Sequence, residues 1–131
     1  MESLPLRFNY EFSRVYKRGT FACGRFLTVH AFRRPKGMKH NLTPIPKNIL
    51  RVGFCANKRL LGAVGRNRAR RLMREAYRRQ ESRIVQGYDL VITLRNLDDM
   101  PTYEEIFKEL DKLIGKLGLY MVTTSDGEIP N

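Results

Sequence analysis

The sequence has no tryptophan, two cysteines, two histidines and only 13 acidic residues among 131. Cys23 and Cys55 are too few for a disulfide scaffold, and their spacing matches neither a zinc site nor a redox pair. We expect two free, buried thiols in a reducing compartment. No apolar run is long enough to span a membrane, and the N-terminus lacks the apolar stretch of a signal peptide. These absences predict a cytoplasmic protein.

The charge of the chain is strongly positive and unevenly distributed. Lysine and arginine number 25, which gives a formal net charge of +12. Residues 1–50 carry +8, residues 51–83 carry +9 and residues 84–131 carry −5. This asymmetry favours a polyanionic partner that is bound by the first two-thirds of the chain. Charge alone does not distinguish DNA, RNA and an anionic membrane surface.

The length predicts a single domain over residues 1–122, followed by a polar tail, 123–131, that we expect to be disordered. Periodicity predicts helices over 8–18, 61–82 and 102–117, one or two strands within 21–33, and further strands over 49–56 and 88–95. Residues 35–48 hold three prolines and predict a long loop. This order indicates an α+β fold in which helices pack on a mixed sheet.

The last predicted helix has clear boundaries. Thr102 and Glu105 have the spacing of a capping box, and Gly118 is a suitable C-terminal cap. Its apolar stripe consists of Ile106, Leu110, Leu113, Ile114 and Leu117. In the preceding strand, the run Leu90–Ile92 predicts burial on both faces of the sheet.

Residues 66–79 form the most informative segment. On a helical wheel its apolar side chains fall on one side: Ala69, Leu72, Met73 and Ala76, with Tyr77 at the edge. The opposite arc holds Asn67, Arg70, Arg71, Arg74 and Arg78, and Arg66 and Arg68 flank it. So dense an arginine face repels itself by a few tenths of a kcal/mol per pair. Guanidinium groups bind phosphate bidentately and stack on bases, so we interpret this face as RNA-binding; a merely solvated face is the alternative.

The string KRLLGAVGRNRARRLMRE, from Lys58 to Glu75, closely resembles the RNR signature of bacterial ribonuclease P proteins. Arg51-Val52-Gly53 ahead of it resembles the strand that precedes the motif in that family. The aromatic first helix followed by Gly19-Thr20, the strand that begins Tyr88-Asp89 and the closing helix keep the family's order. The resemblance spans residues 4–119. The chain departs from the family pattern at His30, where tyrosine is common, and at Leu61-Gly62, where the glycine comes one place later.

The resemblance implies a fold of order α-β-β-β-α-β-α, with a mixed four-stranded sheet and a left-handed βαβ crossover, which is rare. It also implies a function. The chain would be the protein subunit of a ribonucleoprotein that removes the 5′ leader of precursor tRNA. Its partners would be the catalytic RNA and precursor tRNA, with Mg²⁺ held mainly by the RNA.

Site residues are carried over from the resemblance by position. The implied RNA-binding surface consists of Lys58, Arg59, Arg66, Asn67, Arg68, Arg70, Arg71 and Arg74, and the helical wheel adds Arg78 to it. The implied cleft for the single-stranded leader consists of Phe12, Tyr16, Arg25 and His30. Aromatic rings beside Arg14, Lys17 and Arg18 suit single-stranded RNA. Simple core packing of Phe12 and Tyr16 remains the alternative.

The sequence predicts no catalytic residue in the chain itself. Carboxylates that could hold Mg²⁺ are scarce in the basic segments; the acidic residues of the last third, such as Glu104, Glu105 and Glu109, are predicted mostly on a solvated helix face. His30 and His40 lack a suitable partner for acid–base chemistry. Two other classes stay open: an RNA-binding module without a role in cleavage, such as a ribosomal protein, and a membrane-surface protein. No small-molecule substrate is expected, and the metal ligands are not identified.

Overall fold

The computed structural model describes residues 3–35, 39–40, 43–45, 49–56, 58–95 and 100–121. The elements are β1 (Leu4–Pro5), α1 (Asn9–Arg18), β2 (Thr20–Cys23), β3 (Leu27–Arg33), β4 (Lys39–His40), β5 (Thr43–Pro44), β6 (Arg51–Cys55), α2 (Lys58–Gln80), a 3₁₀ turn (Glu81–Arg83), β7 (Tyr88–Leu94) and α3 (Tyr103–Lys116). No helix in the described ranges is long and apolar enough to cross a membrane. The predicted tail, 123–131, lies outside them.

One mixed sheet organises the fold, with strands in the order β1-β6-β7-β3-β2. Strand β6 runs parallel to both β1 and β7, whereas β3 runs antiparallel to β7 and β2. The central strand β7 buries Leu90, Val91 and Ile92 completely, which confirms the predicted burial on both faces. Helix α2 makes the parallel crossover from β6 to β7; its left hand stays a prediction.

The α+β class and the mixed sheet are confirmed, but the expected strand number is wrong, because the sheet has five strands. The additional strand, β1, pairs Leu4 with Arg51 and Pro5 with Val52. The N–H of Leu4 donates to the carbonyl of Leu50 at 2.8 Å, and Leu6 donates to Val52 at 3.0 Å. A two-residue edge strand that contains proline has no alternation to detect, and proline is tolerated only at such an edge.

The prolines of segment 35–48 predict a long loop, but part of this segment forms two short strands. Strands β4 and β5 form a separate antiparallel ribbon in which Lys39 pairs with Pro44 and His40 pairs with Thr43. Residues 36–38, 41–42 and 46–48 lie outside the described part of the chain.

The two faces of the sheet are covered very differently. Helices α2 and α3 pack together on one face and bury a large apolar core that includes Met73, Tyr77 and Ile106. Helix α1 packs on β3 and β7, where the buried apolar cluster has only four members: Leu6, Val15, Phe32 and Val91. The face under α1 is therefore the smaller and more open one.

Both cysteines have free thiols, but the expectation that they are buried is wrong. Cys23 is exposed and Cys55 is half-buried. Both lie on the α1 side of the sheet, where Thr28 donates its hydroxyl to the Cys23 sulfur at 3.6 Å. Because α1 covers only part of this face, these side chains stay accessible.

Both ends of α3 follow local sequence rules for helix capping. In α3 the Thr102 hydroxyl accepts the N–H of Glu105, and the Glu105 carboxylate accepts the N–H of Thr102, so the predicted capping box is confirmed. Gly118 follows with a φ of +71°, the conformation that favours glycine after a helix. Helix α2 begins earlier than predicted and is kinked at Gly62, where φ is +66° and ψ is −177°.

Candidate nucleic-acid interface

Helix α2 separates apolar from charged side chains as predicted. Ala69, Met73 and Ala76 have no exposed surface, and Tyr77 is 2% exposed. The polar side is outward: Asn67, Arg68, Arg71, Arg74 and Arg78 are exposed, and Arg66 and Arg70 are half-exposed. We refer to these seven residues as the arginine face. The side chains of Lys58 and Arg59 lie outside the described part of the chain.

The arginine face has no carboxylate partner within the described residues. None of the ion pairs there involves an arginine between 66 and 78. The acidic C-terminal third pairs with other cations instead: Asp89 with Arg34 and Arg51, and Asp111 with Arg83 at 4.0 Å. The positive charge of α2 is therefore available to an external anion.

A groove of about 850 Å³ follows the edge of β6 and joins the two sides of the sheet. Its lining includes Phe12 of α1, Gly53 and Phe54 of β6, and three members of the arginine face: Arg70, Arg74 and Arg78. The Arg74 guanidinium lies 5.5 Å from the centre of the Phe54 ring. Sequence reasoning missed Phe54, since an apolar residue in a predicted strand gives no sign that it borders an exposed groove.

The Phe12 ring lies directly against Gly53. A Cβ atom on Gly53 would fall only 2.4 Å from Cε1 and 2.6 Å from Cζ of that ring. Phe12 is half-buried and also packs against the small apolar cluster under α1. The core-packing alternative is thus partly correct for Phe12, although the same ring also lines the groove.

The structure brings Tyr16 and His30 together, as predicted for the cleft. Their rings meet edge to face with centres 4.8 Å apart, and Phe21 stacks on His30 at 5.4 Å. Tyr16 is 45% exposed and Phe21 is 64% exposed, so neither ring is simply core. The sequence did not single out Phe21, which joins the cleft because β2 pairs it with His30.

The fourth predicted cleft residue, Arg25, lies elsewhere. It follows β2, and its guanidinium covers the ring of Phe26 at 5.2 Å rather than joining Tyr16 and His30. The backbone N–H groups of Arg25, Phe26 and Leu27 donate to the carboxylate of Glu109. Glu109 is thus an exception among acidic residues that were predicted mostly on a solvated helix face, because it caps this turn.

The rings of the cleft are uncharged near neutral pH. Burial lowers the pKa of His30, and its Nδ1 is shielded from solvent without a hydrogen-bond partner in the described ranges. Burial, together with the nearby Cys55 thiol, raises the pKa of Tyr16. Lys17 and Arg18 on the same helix are exposed. The cleft thus offers neutral stacking surfaces beside exposed positive charge, a combination suited to single-stranded nucleic acid.

A buried ionic network, which sequence reasoning missed, lies beneath α1. Arg51 donates twice to Asp89, at 2.9 and 2.7 Å, and once to Glu11 at 2.7 Å. Arg34 donates to the same Asp89 carboxylate at 2.8 Å. Burial alone would lower the pKa of Arg51, but the hydrogen bonds and charges of Asp89 and Glu11 raise it. All four side chains are almost fully buried.

Potential metal ligands are sparse among the described residues. These residues contain no group of three or more histidine, cysteine, aspartate or glutamate side chains arranged to hold a metal ion. Glu75 and Glu81 are the only carboxylates that α2 and the following 3₁₀ turn contribute, and Glu81 accepts hydrogen bonds from Ser3.

The fold is shared with known proteins. The ribonuclease P protein of Staphylococcus aureus superimposes with a TM-score of 0.74 and 22% identity, over 92% of this chain and all of the other. The protein from Thermotoga maritima gives a TM-score of 0.64 and 23% identity, over 86% of this chain and 96% of the other. These likenesses establish the fold.

Other relatives have a higher sequence identity to this chain than these two solved structures do. The ribonuclease P protein component of Clostridium novyi is 34% identical over 88% of this chain and 94% of its own length. The protein component of Clostridium botulinum strain Loch Maree is 33% identical over 92% of this chain and 99% of its own length. The family model for ribonuclease P matches residues 2–118. With its arginine face, its aromatic cleft and these relatives, the chain belongs to the ribonuclease P protein family.

Proposed function

We propose that the chain binds the catalytic RNA of ribonuclease P through the arginine face and the 5′ leader of precursor tRNA through the aromatic cleft. It thereby promotes Mg²⁺-dependent endonucleolytic removal of the leader, which leaves the mature 5′ end of the tRNA. The catalytic centre lies in the RNA, which also holds most of the Mg²⁺, and the protein acts in the cytoplasm. The observation that carries the proposal is an arginine face that has no carboxylate partner among the described residues and lies beside an exposed aromatic cleft.

The arginine face supports RNA as the partner. Its guanidinium groups are held outward because Ala69, Met73 and Ala76 anchor the other side of α2 in the core. Each phosphate that an arginine neutralises releases counterions, so affinity should depend steeply on salt. The apolar side of α2 is already buried against α3 and the sheet, which leaves little to insert into a lipid surface.

The cleft supports a single strand rather than a duplex. Tyr16, Phe21 and His30 offer ring faces and edges, and a base must be unstacked from its neighbours to use them. In precursor tRNA the leader is the single-stranded part next to the cleavage site. The groove along β6 connects this cleft to the arginine face through Phe12, so one enzyme could contact both RNAs at once.

The decisive experiment is cleavage of precursor tRNA by the cognate catalytic RNA at low Mg²⁺, with and without the protein. We expect the protein to stimulate cleavage strongly. A protein that binds RNA tightly but leaves the rate unchanged would be an RNA-binding module without a role in cleavage, and the proposal would be wrong.

A variant separates the cleft from the core. Replacing Phe12 and Tyr16 with leucine keeps apolar volume at both positions, so the fold should persist. We expect the reconstituted enzyme to lose affinity for precursor tRNA while its affinity for mature tRNA is retained. An equal loss for both RNAs would show that these two rings serve packing alone.

A further inference from the structure

The attachment of α1 to the sheet depends on charge to an unusual degree. Among the described residues, the buried apolar cluster at the α1 contact has four members, whereas nineteen form the core on the opposite face. In the middle of this contact lie Glu11, Arg51 and Asp89, which are 2%, 5% and 0% exposed. Since α1 forms one wall of the cleft, whatever fixes α1 also fixes the cleft.

Glu11 performs two tasks with its two carboxylate oxygens. Oε1 accepts the backbone N–H groups of Arg7 and Phe8, which immediately precede the helix. Oε2 accepts the Nη1–H of Arg51 on β6 at 2.7 Å. Arg51 is in turn fixed on its other side by the two bonds to Asp89. One side chain therefore connects the first turn of α1 to a rigid point in the sheet.

This connection sets the alignment of α1 along β6. Beyond the Glu11–Arg51 contact, the next residue of the helix, Phe12, lies against Gly53. One turn later the Tyr16 hydroxyl lies 3.9 Å from the sulfur of Cys55. Arg51, Gly53 and Cys55 are alternate residues that share one face of β6. The ionic contact thus lies at one end of the row that positions both cleft aromatics.

We propose that Glu11 is a positioning residue for leader binding: through Arg51 it holds α1 in the alignment that presents Phe12 and Tyr16 to RNA. This inference rests on the function proposed above. A buried ion pair is by itself weak support for stability, because the loss of hydration offsets much of the attraction. A role in alignment explains why the charged contact lies at the base of the cleft wall.

The test replaces Glu11 with glutamine, which keeps an oxygen for the helix start but removes the charge opposite Arg51. Glu105→Gln is the matched control: Glu105 occupies the same third position of α3, makes the same helix-start bond and is exposed. Each full-length variant is reconstituted with the cognate catalytic RNA. Binding is measured for precursor tRNA with a leader of about ten nucleotides, within the usual range of a single-strand site, and for mature tRNA.

We expect Glu11→Gln to weaken precursor binding roughly five- to tenfold, a partial loss of one stacked base, without changing the affinity for mature tRNA or catalytic RNA. Glu105→Gln should change none of the three. With Phe12 and Tyr16 both already replaced by leucine, adding Glu11→Gln should have much less effect on precursor binding. This dependence on the two rings distinguishes alignment from general destabilisation.

Three results would overturn the proposal: unchanged precursor binding in Glu11→Gln, a proportional loss for all three RNAs, or an undiminished effect when Phe12 and Tyr16 are both leucine. If circular dichroism shows that Glu11→Gln does not fold, Glu11→Asp replaces it, because aspartate keeps the charge but shortens the reach to Arg51. The affinities for precursor and mature tRNA are then compared in the same way. Wild-type enzyme that binds precursor and mature tRNA equally would refute leader binding itself, before any variant is compared.

Discussion

Replacing Gly53 with alanine tests how closely α1 approaches the sheet. The new Cβ would lie 2.4 Å from one carbon of the Phe12 ring and 2.6 Å from another. Carbon atoms pack favourably at about 3.5–4.0 Å, so the end of the ring must withdraw by about 1 Å or more. A side chain turned away from its preferred rotamer costs about 0.5–1.5 kcal/mol. We therefore expect the free energy of unfolding to fall by about 1 kcal/mol.

The same displacement should affect RNA binding, because the Phe12 ring also lines the groove. Stacking of one base on an aromatic ring contributes about 1–3 kcal/mol. Losing part of that contact corresponds to roughly fivefold weaker binding of precursor tRNA, whereas mature tRNA should bind as before. Stability is measured by urea denaturation followed by circular dichroism, and affinity by titration of the reconstituted enzyme.

Gly115 provides the control for this substitution. It lies in α3, and a Cβ there would meet only the Tyr120 ring, at an ordinary distance of 3.8 Å. Gly115→Ala should therefore raise stability by up to about 1 kcal/mol, the difference in helix propensity. In a Phe12→Ala background, Gly53→Ala should cost almost nothing. The reasoning fails if Gly53→Ala behaves like Gly115→Ala, or if its cost is the same without the Phe12 ring.

Three further predictions concern charge. Replacing Arg70 and Arg74 together with glutamine should reduce the slope of log affinity for catalytic RNA against log salt by about 1.4–1.8, two phosphate contacts' worth; an unchanged slope would mean that these side chains do not meet phosphate. Asp89→Asn should lower the free energy of unfolding by about 3–5 kcal/mol, because it leaves a buried arginine cluster underneutralised; a loss below about 1 kcal/mol in urea denaturation would contradict this. Because burial lowers the pKa of folded His30, the unfolded chain takes up the proton first, so stability should fall as pH drops below about 6.5. His30→Gln should weaken this dependence, and identical pH series for both proteins would argue against it.

Features that depend on local spacing were predictable from the sequence. The division of α2 into an apolar and an arginine side follows from the helical repeat alone, and Ala69, Met73 and Ala76 are buried as that repeat requires. The capping box of α3 needs only Thr102 and Glu105, three residues apart. In both cases the partners lie within a turn or two of each other, where geometry is fixed by the helix itself.

Features that depend on strand register were not predictable. Arg51 contacts Asp89 and Glu11, which are 38 and 40 residues away in the sequence. No local residue spacing therefore predicts the network. Phe21 enters the cleft only because β2 pairs it with His30. Arg25 was carried over by position, yet the turn after β2 directs it onto Phe26. Each outcome is decided by contacts between distant segments.

The ionic network also constrains how the chain can fold. Along β6, Arg51 and Gly53 face α1, whereas Val52 belongs to the core beneath α2 and α3. A slip of one residue would exchange these faces. It would bury a lone guanidinium among hydrocarbon, at a penalty of several kcal/mol, and place a valine side chain under the Phe12 ring. The buried cation adds a second constraint to the hydrophobic pattern, because it accepts only the pairing that supplies its anions. Arg51 therefore helps to select the correct register of β6 in the sheet. Chains in which β6 is misaligned should be too unstable to accumulate.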